Sequence, residues 1–340
     1  MFLNQTTYSV GLHPESIAVA DVNGDNKPDI IVGIEGLNTV GVLLNTGSGT
    51  FNAQTTYPVG TNPYSVAVVD VNSDNKTDII VANYGSNTIG VLLNTGNGTF
   101  NNQTTYPVGT SPWSVAVADV NSDSKSDIVV ANEGSNTVGV LLNAGNGTFH
   151  AQINYTVGSG PVSVVVVDVN SDNKLDIVVA NNGPWNVGVL LNAGNGTFSA
   201  QNTYTVSNIP QAVAVADVNS DNKPDIVVAN YGATTIGVLL NAGSGTFHAQ
   251  AIYSVGTGPY SVAVVDVNSD NKPDIIVGNL SDNNVGVLLN RGNGTFNNQT
   301  TYTVGTSPQG VAVVDVNSDN KPDIIVANGG SSTVSVLLHC

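Results

Sequence analysis

The triplet Asp-Val-Asn recurs at Asp21, Asp70, Asp119, Asp168, Asp217, Asp266 and Asp315, every 49 residues and with no insertion or deletion. A chain of 340 residues by itself suggests about two domains. Seven units of 49 would need only three residues more than are present, so the repeat fills residues 1–340 and replaces that estimate with one array. Within the first full unit, residues 16–20 read as a strand entering the Asp21 loop and 29–32 as the strand leaving it. Residues 39–44 read as a third strand and 51–59 as a fourth, with turns such as Asn45-Thr46-Gly47-Ser48-Gly49 between them. Four strands in a unit of about 40–50 residues describe a propeller blade. Apolar runs such as Val66-Ala67-Val68-Val69 suit sheets covered on both faces, because a sheet with one wet face would alternate.

The expected fold is therefore all-β, a seven-bladed β-propeller with four antiparallel strands per blade. Leu337-Leu338 matches Leu43-Leu44, so the last unit stops after its third strand, and residues 2–10 match the fourth. The N-terminal segment is expected to complete the seventh blade and close the ring, which removes exposed sheet edges. An open solenoid would need polar caps, and neither terminal unit has one.

Each unit carries Asp-Val-Asn-[Gly/Ser]-Asp-x-Lys-x-Asp. The first two copies are Asp21, Asn23, Asp25, Lys27, Asp29 and Asp70, Asn72, Asp74, Lys76, Asp78. The third and fourth are Asp119, Asn121, Asp123, Lys125, Asp127 and Asp168, Asn170, Asp172, Lys174, Asp176. The last three are Asp217, Asn219, Asp221, Lys223, Asp225, then Asp266, Asn268, Asp270, Lys272, Asp274, then Asp315, Asn317, Asp319, Lys321, Asp323. Oxygen side chains at positions 1, 3, 5 and 9, with the backbone carbonyl of the Lys at position 7, match the way a short loop wraps calcium. Up to seven Ca2+ ions, one per blade, are expected. The loop is not an EF-hand, since Val32 stands where a bidentate Glu belongs and Asn26 where Gly belongs. Magnesium rarely uses an all-protein cage, and zinc would want His or Cys, which no loop contains. The competing reading is that Asp and Asn serve only as turn formers.

The formal charge of -17 follows from the same motif. Each loop has three Asp and one Lys, so seven loops of -2 give -14, and Glu15, Glu35, Glu133 and Asp282 against Arg291 give the other -3. So few basic residues, all but one inside the loops, exclude a nucleic-acid-binding face. No apolar run approaches the ~18 residues of a membrane span, so membrane insertion is not expected. The opening Met1-Phe2-Leu3-Asn4-Gln5 lacks the basic start and apolar stretch of a signal peptide.

On these motifs the chain resembles the FG-GAP/VCBS repeats of integrin-alpha-like propellers over essentially its whole length. The resemblance implies that each Asp loop joins the first and second strands of its blade and binds calcium, and that the protein works outside the cell or at its surface. Gly49-Thr50-Phe51-Asn52 is the nearest counterpart of the family's Phe-Gly signature, which places the chain nearer the VCBS-like branch than an integrin head. Some related propellers are lectins.

Function is sought where the copies differ. All seven Phe and seven of eleven Tyr occupy repeated positions, whereas Tyr64, Tyr84, Tyr231, Tyr260, Trp113 and Trp185 do not. In an antiparallel blade the 1-2 and 3-4 loops emerge on one face, and the 4-1 and 2-3 loops on the other. Tyr64, Trp113 and Tyr260 fall in the 4-1 connection, in the slot filled elsewhere by Glu15, Val162, Gln211 and Gln309. Tyr84, Trp185 and Tyr231 fall in the 2-3 loop with Glu35, Glu133 and Asp282. Every unrepeated aromatic and every acid outside the Asp loops is thus expected opposite the metal face. Rings beside carboxylates suit carbohydrate, with stacking on the sugar face and acceptors for its hydroxyls. A carbohydrate or protein ligand is expected there, making the chain a binding or adhesion module. The alternative is a structural subunit of a surface assembly that self-associates. Catalysis by the four acids is a weaker option, since they lie in different units and no nucleophile or metalloprotease motif accompanies them.

Overall fold

The Asp-Ile-Ile-Val stretch after each Asp loop forms the most enclosed strand of its unit. Asp29–Ile34 is buried at every position, as are its six counterparts. Alternate side chains of this strand serve different cores, as a pleat requires. Ile30, Val32 and Ile34 pack with Val316, Ile325 and Ala327 of the seventh unit, while Ile31 packs with Val66, Ile79 and Val81 of the second. Seven such apolar clusters exist, one at each junction between units. β-branched residues suit such pleated, two-sided burial, and each contributes about 1.5–3 kcal/mol when fully enclosed.

A computed structural model describes residues 1–340 and contains seven four-stranded antiparallel sheets. In the first, Pro14–Ala20, Asp29–Ile34, Thr39–Leu43 and Thr55–Pro58 lie side by side in that order. The innermost strand of each sheet packs against those of both neighbours, which closes the ring. Closure is made as the sequence implies. Thr6–Ser9 is the fourth strand of the last sheet, with Thr6 opposite Val336 and Ser9 opposite Thr333. No helix is long and apolar enough to cross a membrane.

The fourth strand differs from the expected 51–59. It divides in two: Thr50–Phe51 pairs with Asn45–Gly47 in a separate small hairpin, and only Thr55–Pro58 joins the sheet. A register shift within Asn45–Gly47 and a left-handed Gly47 turn the hairpin aside. It folds onto the neighbouring blade. Asn45 is buried there and donates from Nδ2 to the carbonyls of Pro28 and Val316, each at 2.9 Å. Gly49 is favoured at the contact, since its φ is 71° and a Cβ would lie 2.7 Å from the end of the Leu338 side chain.

The repeated aromatics also fasten blade to blade. Tyr8 meets Phe51 edge-on with centroids 5.4 Å apart, and the same pair recurs at all seven junctions. Such pairs contribute about 0.5–1.5 kcal/mol beyond their buried area. At the seam, Phe2 bridges to His339 and the Cys340 amide donates to the Met1 carbonyl at 2.9 Å. His339 occupies the position that Asn45 and its equivalents hold elsewhere.

Candidate functional site

On one face lie the seven Asp loops. In the first, Asp21 Oδ1 accepts the N–H groups of Asn23, Gly24 and Asp25 at 3.1, 2.7 and 3.3 Å, and Oδ2 accepts that of Asn26 at 2.7 Å. These amides point inward because the residues at positions 4 and 6 are left-handed, Gly24 at φ 80° and Asn26 at 61°. In the other six loops a Ser takes position 4 at 61–63°. A left-handed Ser costs about 1 kcal/mol, which amide bonds to a carboxylate, about 1.5–3 kcal/mol each, offset. Asn23 Oδ1 accepts from the Asp25 amide at 2.9 Å, and Asp25 Oδ1 from the Lys27 amide at 3.0 Å. Lys27 Nζ lies 3.4 Å from Asp25 Oδ2, an exposed ion pair found in six of the loops.

Asp29 behaves differently from its loop partners. It is fully buried, with Oδ2 accepting from Val22 at 3.0 Å and Oδ1 from Asn45 at 2.7 Å. Burial raises its pKa, the two amides oppose the shift, and the charges of Asp25 and Asp21 add to it. In Asp225 and Asp274 the same causes push the carboxyl up to about 6. No three carboxylate, imidazole or thiolate groups converge on one point, because the loop carboxylates face the loop's own amides. The donor set itself fits a hard cation: it is all oxygen, it includes a carboxylate enclosed without a basic partner, and Asp21 and Asp25 stand close enough to disfavour its charge.

The opposite face is organised around the ring axis. The first strands are innermost, so the residues that begin them meet at the channel mouth. Glu15, Tyr64, Trp113, Gln211, Tyr260 and Gln309 line one cavity of about 200 Å³. Below them runs a layer of Ser65, Ser114 and Ser163, whose hydroxyls accept the amides of Val115, Val164 and Val213 in the next blade. Tyr64 stacks on Tyr84 with centroids 4.5 Å apart, and Trp113 stands edge-on to both, at 4.9 and 5.6 Å. Across the mouth, Tyr231 and Tyr260 meet edge-on at 6.2 Å.

The mouth is electrostatically strained. Burial pushes the Glu15 carboxyl up to about 7, with the charge of Glu35 adding and a hydrogen bond with Gln309 opposing. Burial likewise pushes the Tyr64 phenol up to about 12, with Glu15, Glu35, Tyr84 and Glu133 adding to the shift. Tyr260 is raised too, by burial first and then by Glu15. Glu35 accepts from Asn62 Nδ2 of the next blade at 2.6 Å. Glu133 lies in a groove of about 550 Å³ between the third and fourth blades, which Trp113 also lines.

Two residues expected on this face do not join the cluster. Asp282 Oδ2 accepts the Thr257 amide at 2.8 Å, the capping role that Ser86, Ser135 and Ser331 hold in other blades. Trp185 is 47% exposed, in a left-handed conformation at φ 53°. Asn38, Asn87, Asn136 and Asn283 occupy its slot elsewhere and accept an amide of the following blade. Sequence reasoning passed over the Ser layer and the Asn45 series, although both recur at the repeat spacing and could have been found by it.

Comparison with known proteins agrees with this architecture. The FG-GAP-like repeat matches residues 21–81, 70–130, 119–179, 168–228, 217–277 and 266–326. No curated protein matches the chain. Among solved structures, BBS1N in complex with ARL6DN is 14% identical with a TM-score of 0.71, covering 99% of this chain and 96% of that one. Virginiamycin B lyase from Staphylococcus aureus is 15% identical with a TM-score of 0.69 and 100% of each chain covered. An Agrocybe aegerita lectin that recognises non-reducing terminal N-acetylglucosamine is 22% identical with a TM-score of 0.60, covering 93% of this chain and 86% of that one. At these identities the structures share the fold alone. The repeat matches span most of the sequence, and the chain belongs to the FG-GAP-like repeat family.

Proposed function

We propose that this propeller is a calcium-stabilised binding module that works outside the cell and takes a glycan at the channel mouth. The observation that carries the reading is the meeting of Glu15, Tyr64, Trp113, Gln211, Tyr260 and Gln309, drawn from six blades, in one cavity. Flat rings stack on the apolar face of a sugar, while the acid and amides pair with its hydroxyls. That one solved propeller of similar fold is a lectin and another is bound to ARL6DN supports the view that the architecture serves binding. Calcium would be held by Asp21, Asn23, Asp25, Asp29 and the Lys27 carbonyl, and their equivalents in the other six blades. Its charge would relieve the crowding of carboxylates around Asp29 and its counterparts.

A glycan array on wild type and Trp113→Ala tests the reading. The expected result is a defined set of hits that the variant loses. Leu12 and Leu37, 56% and 48% exposed on the same face, favour protein contact as the second reading. No hits, together with concentration-dependent self-association, would favour it. The Staphylococcus aureus lyase shows that enzymes occur on this fold, so polysaccharide turnover that is abolished by Glu35→Gln would replace binding with catalysis.

A further inference from the structure

We propose that the groove between the third and fourth blades is a second subsite, continuous with the channel mouth through Trp113, and that it selects a hexosamine unit bearing a free, protonated amine. The inference rests on the glycan reading above and narrows it. Trp113 and Val162 line both the mouth and the groove, so two spaces of about 200 and 550 Å³ adjoin there with the indole on their common wall. A linear oligosaccharide can lie across it, one ring in each space. The groove walls carry Glu133 on one side and Asn182 on the other. Asn136 Oδ1 accepts the Gly160 amide at 3.0 Å, which leaves its NH2 group for a ligand oxygen.

Charge decides the kind of sugar. Glu15, Glu35, Glu133 and Asp282 lie on this face, while all seven Lys sit in the opposite loops and Arg291 in the Asn290–Gly292 strand of a small hairpin. Glu35 and Asp282 are engaged by Asn62 and Thr257, whereas the Glu133 carboxylate takes no hydrogen bond from the protein. A sulfated or carboxylated glycan would meet uncompensated negative charge. An ammonium group beside Trp113 gains from both the ring face and the carboxylate. A peptide fits less well, because most of the groove lining comes from loops, and only Trp113 and Val162, near the start of their strands, offer any strand backbone there.

The test is calorimetric titration of the calcium-loaded protein at pH 6 with the β-1,4-glucosamine tetramer and with its fully N-acetylated form. The free-amine tetramer is expected to bind at least tenfold more tightly. Glu133→Gln should abolish that preference while keeping affinity for the N-acetylated form, and Trp113→Ala should weaken both. Equal affinity for the two tetramers, or a preference that survives Glu133→Gln, overturns the proposal. Tetralysine binding as tightly as the amine tetramer also overturns it, because the attraction would then be general to an acidic surface. If neither tetramer binds but other neutral glycans do, this inference fails and the glycan reading stands. If no glycan of any kind binds, both fail.

Discussion

The two faces of the ring are made by one repeat under opposite rules. On the Asp-loop side every blade presents the same three carboxylates and one Lys, and the buried Asp accepts the same two amides in each sheet. On the channel side a single slot holds Glu15, Tyr64, Trp113, Val162, Gln211, Tyr260 and Gln309. Uniformity suits a task done locally, since each loop can fold its own hairpin without reference to the others. Difference suits a task done jointly, since a ligand at the axis meets all seven blades at once. The first face repeats one local fold seven times, and on the reading proposed above the second is where a ligand would bind.

The largest test of this contrast is calcium itself. Each site is expected to add about 2.7 kcal/mol of stability at a calcium level 100 times its Kd, so the melting temperature should climb steeply with calcium and fall with chelator. A Tm indifferent to both would remove the metal from the first face. Next in size, Asp225→Ala should cost about 2–5 kcal/mol in urea unfolding even in chelator, because it leaves the buried amides of Val218 and Asn241 unpaired. The exposed Asp221→Asn should be nearly neutral in chelator and reduce only the calcium-dependent gain. A similar loss for both in chelator would erase the distinction between the buried Asp, which also holds backbone amides without metal, and the exposed carboxylates expected to act only through the metal.

On the other face the effects on stability are smaller. Trp113→Ala should reduce ligand affinity tenfold or more while costing only about 2 kcal/mol of stability, read by titration and unfolding together. Glu15 supplies a pH signature. Its pKa is raised on folding to about 7, so the folded state favours its protonated form. Stability is therefore highest below the ordinary carboxylate range, near 4.5, and declines as pH rises toward 7. Unfolding measured in chelator at pH 5 and pH 8 should show a smaller decline in Glu15→Gln. The smallest effect is a gain. Trp185→Asn should stabilise by about 1 kcal/mol by relieving a left-handed Trp and restoring the amide acceptor found at Asn38, Asn87, Asn136 and Asn283. A loss instead would give Trp185 a packing role.

Most of the scaffold is written openly in the sequence because the same residues return at equal spacing. Blade number, the two-sided second strands and closure by Thr6–Ser9 all follow from that periodicity. The divided fourth strand was hidden, because residues 51–59 form one β-prone stretch and only the bulge at Asn45–Gly47 shows that Phe51 belongs to another hairpin. The candidate site was half legible. Sequence placed its aromatics and acids on one face, but the convergence of Tyr64, Trp113 and Tyr260 depends on which strand is innermost. Grouping Trp185 with Tyr84 and Tyr231 was too coarse. It lies three residues later in its unit than they do, at the left-handed turn, where an outward side chain cannot reach the axis.

Ring closure also has a cost in time. Gln5 meets Ser335 across 330 residues of chain, so the strand made first finds its partner last. At a synthesis rate of about 5–20 residues per second, Thr6–Ser9 waits on the order of 15–65 seconds while the other blades form. Its Thr-Thr-Tyr-Ser sequence, exposed at three of four positions even after pairing, is polar enough to wait in water. The strand that fastens the ring can therefore remain unpaired during synthesis without exposing a run of apolar side chains to another chain.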